Sequence, residues 1–163
     1  MKELTESIIK DFFLKTGVDE KYFSYYETEL KRCHNAFREE YPYDENEDDE
    51  ERAEDEKMEK ACIECANDYI RYYVEEREKG HSHKWSDSVS RARVSGEHEF
   101  NVYYDAYSSI ENDVEREREL RIRAKSLFPD SFAQDRYIFL FKEQVVNPQK
   151  DTEEYLQCIS GKN

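Results

Sequence analysis

The stretch MEKACIECANDYIRYYV, residues 58–74, sets Met58, Cys62, Cys65, Tyr69 and Tyr72 or Tyr73 four and three residues apart. That spacing is one face of an α-helix, and no Gly or Pro interrupts it. A long helix is therefore predicted from about residue 50 to Gly80, where glycine can supply a left-handed stop. Upstream, Tyr26, Leu30, Cys33 and Phe37 repeat at heptad spacing in a second predicted helix, suited to packing on the first. Asp19 is placed to cap it, Val18 and Phe23 to staple it, and Pro42 to follow its end.

The same reading extends to both termini. A helix over Leu4–Lys15 carries Ile8, Ile9, Phe12 and Phe13 and stops at Gly17. After a loop over His81–Lys84, Trp85, Val89 and Ala92 mark a short helix that Ser86 caps. Phe100, Tyr103, Tyr107, Ile110 and Val114 mark one that continues through the alternating Glu and Arg of 115–123. Ser131 with Gln134 forms a capping box for a helix through Tyr137–Phe141 that is apolar nearly all round. Asp151 with Glu154 opens the last helix. Only four Gly and three Pro punctuate the 163 residues, and no strand-like alternation stands out. The expectation is an all-α chain: a single-domain helical bundle of six to seven helices, residues 1–163, with an acidic loop at 42–50 between helices 2 and 3.

Composition pulls in two directions. A charged fraction of 40% and a mean hydropathy of -1.12 favour disorder. Against that, 13 Tyr, 9 Phe and 1 Trp supply the large apolar groups a core needs. The net charge is -15, and the run from Asp44 to Glu56 dominates it, with Arg52 its only base. Such a chain should avoid nucleic acid and anionic membranes and attract basic surfaces. Lys2, Glu3 and Glu6 break any apolar signal at the N-terminus, and the apolar run Tyr137–Phe141 is too short to span a bilayer. The expected place is the cytoplasm, of the source cell or of an infected host cell. Cys33, Cys62, Cys65 and Cys158 should then be thiols.

Candidate chemistry is sparse. Cys62, Cys65, His81 and His83 are residue types that zinc prefers. Yet a helix continuing from Cys65 to Lys79 carries its far end about 21 Å away, and the two residues onward to His81 span at most about 7 Å. Asp44, Asn46, Asp48 and Asp55 match parts of an EF-hand frame. Asp49 stands where its turn needs Gly, and charged Glu51 where an apolar residue is usual. No phosphate loop, G-x-S-x-G, HExxH or dinucleotide-binding glycine pattern is present, and nothing beside His81, His83 or His98 nominates a nucleophile. Neither catalysis nor a cofactor is expected.

What remains is a binding surface. Acids at most positions of a helix rising about 1.5 Å per residue approach the charge density of B-DNA, about one per 1.7 Å. The expected partner-binding residues are Asp44, Glu45, Glu47, Asp48, Asp49, Glu50, Glu51, Glu54, Asp55 and Glu56. They would serve a non-enzymatic acidic protein that neutralises or sequesters a basic protein, such as a toxin or nucleic-acid-handling protein, in the manner of an immunity protein or inhibitor. A metal-binding helical protein is one alternative. A structural homo-oligomer is another, because Tyr22, Tyr25 and Tyr26, and likewise Tyr103, Tyr104 and Tyr107, point in more than one direction round their helices. Neutralising the acids from Asp48 to Asp55 is expected to leave thermal stability unchanged or slightly raised.

Overall fold

A computed structural model describes residues 3–161, and every regular element in it is helical. The α-helices are α1 (Glu6–Thr16), α2 (Phe23–Glu40), α3 (Asp49–Glu78), α4 (His83–Val94), α5 (Glu99–Ser108), α6 (Asp113–Leu127), α7 (Ser131–Lys142) and α8 (Pro148–Ile159). The all-α expectation holds among these residues, with eight helices in place of six to seven. They form two compact units, divided after Val74 within α3. Among the described residues no helix is long and apolar enough to cross a membrane.

In the first unit, the Thr5 hydroxyl accepts from the Ile8 amide to open α1, and Gly17, at φ 73°, closes it. Asp19 does cap, accepting from the Lys21 amide at 2.9 Å. The element it opens is a short 3-10 turn, Glu20–Tyr22, so α2 begins only at Phe23. Ile9, Phe13, Tyr26, Leu30 and Tyr73 are fully buried. The Phe13 ring meets those of Phe23 and Tyr26 at 5.3 and 5.4 Å, and Tyr73 gathers Tyr22, Tyr25 and Tyr69 around it. Much of the tyrosine content therefore builds core. The buried stripe of α3 passes through Ala66, Ile70 and Tyr73, leaving Cys65 exposed and Met58 and Cys62 half-buried. A 3.6-residue turn drifts away from a strict heptad, and the stripe has moved by one position.

In the second unit the predicted long helix over 100–123 is broken. α5 ends at Ser108, Ile110 is buried in the connection, and the Asn112 side chain accepts from the Glu115 amide at 3.0 Å to start α6. Asn competes for backbone bonds inside a helix and is favoured at its start, so the chain restarts there. Val114, expected on the apolar face, is 79% exposed. Three starts are also displaced. Ser82 caps α4 at the Trp85 amide, while Ser86 is buried inside the helix. Asp130 caps α7, with Gln134 turned back to the Phe128 carbonyl at 2.8 Å. Pro148 opens α8 instead of stopping α7, since its missing N–H costs nothing in a first turn. Trp85, Val89, Leu120, Ala124, Tyr137 and Phe141 lie in this unit's core, and Phe139, in the run of α7 expected to be apolar nearly all round, is left exposed.

Candidate functional site

The acidic run is divided between two kinds of structure. Asp44–Asp48 belong to the connection after α2, whereas Asp49–Glu56 form the first turns of α3, so Asp49 and Glu50 of the predicted 42–50 loop are helical. A capping box explains the early start. The Glu51 amide donates to Asp48 Oδ1 at 2.9 Å, and the Asp48 amide donates to Glu51 Oε2 at 3.0 Å. Acids in a first turn also complement the helix dipole, which offsets the repulsion between like charges three and four residues apart. Asp44 Oδ1 accepts from the Asn46 amide at 2.8 Å. Of the oxygens that the EF-hand frame would offer a cation, Asp44 Oδ1 and Asp48 Oδ1 are thus engaged by backbone N–H groups, and both oxygens of Asp55 by an arginine.

That arginine is Arg38 of α2. Its guanidinium donates to both oxygens of Asp55, at 2.8 and 3.1 Å, and to Glu59 Oε2 at 2.7 Å. The fork geometry suits paired acceptors, and these carboxylates stand four residues apart on α3. Asp48, Glu51 and Asp55 therefore serve the fold, which argues against the expectation that neutralising the acids from Asp48 to Asp55 leaves stability unchanged or slightly raised. Asp49 pairs with Arg52 at 3.5 Å. Asp44, Glu45, Asp49, Glu50, Glu54 and Glu56 are exposed, Glu47 is half-buried, and Tyr41 and Tyr43 lie exposed beside them.

The second polar constellation was not legible from spacing. Glu76, His81 and Glu119 are all buried in the second unit. His81 Nδ1 donates to Glu119 Oε2 at 2.5 Å, and the Ser82 amide donates to Glu119 Oε1 at 2.9 Å. Burial pushes the Glu119 carboxyl up, but the hydrogen bonds from His81 and Ser82 outweigh it and hold the group below the usual carboxylate range. The Trp85 indole N–H donates to Glu76 Oε2 at 3.0 Å, and the His81 ring stacks on Trp85 at 4.6 Å. His81 Nε2 stands 3.5 Å from Glu76 Oε2 without hydrogen-bond geometry. Each carboxylate has its N–H donors, and the indole and imidazole rings cover the cluster. This is how a core carries charge. The available signal was the step from Leu120 to Ala124, which turns the neighbouring Glu119 and Arg123 inward on α6.

His83 and His98 are exposed, and Cys62 and Cys65 lie on the part of α3 that belongs to the first unit. Among the described residues no group of three or more His, Cys, Asp or Glu is arranged to hold a metal ion. All four cysteines are free. Burial, together with the Glu29 carboxylate beside it, pushes the Cys33 thiol up to about 11. Alkylation of native Cys33 by iodoacetamide at pH 8 should be on the order of a hundredfold slower than in the unfolded chain, as thiolate supply dictates. Peptide mapping after timed labelling checks this, and equal rates in both states would refute it.

No family model matches the chain, and neither a curated protein nor a solved structure shows significant similarity to it.

Proposed function

We propose that the chain is a non-enzymatic binding protein that sequesters a basic protein partner on the acidic start of α3 and the connection before it. The observation that supports the reading is the state of Glu50, Glu54 and Glu56. They are exposed on ordered helical turns and have no cationic partner among the described residues, while neighbouring acids are tied into caps and the Arg38 fork. Glu50 and Glu54 lie one turn apart on one face. Uncompensated carboxylates on a fixed scaffold speed the encounter with a basic surface, and the adjacent Tyr41 and Tyr43 offer rigid amphipathic contact area at its edge.

The test separates binding from stability. In the triple variant Glu50→Gln, Glu54→Gln, Glu56→Gln the caps and the Arg38 fork remain, so the melting temperature should be unchanged or slightly higher. Against a partner recovered from the native cell and identified by mass spectrometry, the variant should associate roughly tenfold more slowly at low salt. Its rate should also depend less on ionic strength than that of the wild type. An association rate and salt slope equal to those of the wild type would remove the acidic end from the reading.

A further inference from the structure

A cavity of about 260 Å³ opens in the second unit between α5, α6, α7 and the first turn of α8. This is a little below the roughly 300–1,000 Å³ of sites for drug-sized ligands, so its occupant would be small. Its walls include the rings of Phe100, Tyr103 and Phe141, and Arg123 lies among them.

Arg123 is 6% exposed and its Nε has no hydrogen-bond partner. The guanidinium sits 3.7 Å from the Tyr103 ring centroid and donates to the Tyr137 hydroxyl, contacts that favour the cation without neutralising it. Its ion pair is a loose one, 3.9 Å to the carboxylate of Glu99, a residue whose side chain is 77% exposed. A buried cation so weakly compensated is costly, and an anion brought to it would recover that cost.

The start of α8 adds donors of the same polarity. Asn147 makes no side-chain capping bond, Pro148 has no N–H, and the first helical bond runs from Asp151 to the Asn147 carbonyl. The amides of Gln149 and Lys150 therefore have no acceptor among the described residues, and both residues line the cavity. Uncapped first-turn amides are anion-binding groups. Glu153, the other acid on the wall, accepts from the Gln149 side chain at 3.2 Å.

We propose that this cavity binds a small molecule carrying one anionic group, carboxylate or phosphate, on a flat apolar ring. The anion lies between Arg123 and the amides opening α8, and the ring lies against the aromatic wall. Glu99 occupies the cation loosely while the site is empty.

The experiment titrates the 15N-labelled full-length protein with benzoate, phenyl phosphate, benzamide and acetate. Benzoate or phenyl phosphate should bind saturably and shift the Gln149 and Lys150 amides, and the tighter of the two identifies the anion. Benzamide lacks the charge and acetate the ring, and each should bind at least roughly tenfold more weakly. Glu99→Gln, at an exposed position, removes the competing carboxylate and should tighten binding by roughly two- to fivefold. Arg123→Gln should weaken it at least roughly tenfold; if that variant does not fold, the Glu99→Gln result decides. Equal affinity for benzamide and benzoate, or no saturable shift at Gln149 and Lys150, would overturn the proposal, as would unchanged affinity in Glu99→Gln.

Discussion

Replacing Glu119 by Ala should cost about 2–5 kcal/mol of stability, at about 1–3 kcal/mol for each buried donor left without an acceptor. The carboxylate is fully buried, and its loss leaves the His81 Nδ1–H and the Ser82 amide without their acceptor in the core. The protein carries its own reporter, because its one Trp, Trp85, stacks on His81 and donates to Glu76. Urea unfolding followed by that fluorescence reads the loss directly. Glu119→Gln keeps an acceptor and should fall between wild type and Ala. A loss under about 1 kcal/mol for the Ala variant would show that the cluster does not anchor this unit.

The same residue sets a dependence on acid. Its folded-state carboxyl is held below the ordinary range, so its contribution is full above that range and is lost as the pH falls through the depressed folded value. Wild-type stability should therefore decline in the acidic range below the usual carboxylate value, and the Glu119→Gln profile should be flatter there. Parallel profiles for the two proteins would contradict this assignment.

Arg38→Met should cost about 2–4 kcal/mol. It leaves Asp55 and Glu59, with side chains 16% and 6% exposed, as two unneutralised carboxylates one turn apart on α3. Hydrogen exchange should locate the damage in residues 49–60, where α3 would fray, ahead of the aromatic cluster around Tyr73. Adding Asp55→Asn and Glu59→Gln to Arg38→Met removes the stranded charges and should recover part of the loss. If the triple variant is no more stable than Arg38→Met, repulsion between the carboxylates is not the cause. Arg38→Lys should not restore the wild type, because an ammonium cannot fork to both oxygens of Asp55 while also reaching Glu59.

Periodicity in the sequence by itself determined that the chain is helical, and it placed the apolar faces of α2 and α3 to within one residue. Tyr26, Leu30 and Phe37 are buried as their spacing predicts, and Gly17 ends α1 in the left-handed conformation expected of it. These follow from local rules: a helix repeats every 3.6 residues, and glycine bears no Cβ. The division of the long predicted helix into α5 and α6 was written less plainly, in Ser108, Ser109 and Asn112, residues that compete with the helix for backbone bonds. Only the tertiary structure decided which charged residues go inside. Glu119 looks like any acid in an alternating Glu and Arg helix until His81, 38 residues away in sequence, donates to it. Asp55 looks like its neighbours in the acidic run until Arg38 arrives from α2. An apolar residue gains by burial against almost any apolar surface, whereas a charged one can be buried only where a particular donor or acceptor meets it, and that partner comes from a distant part of the chain.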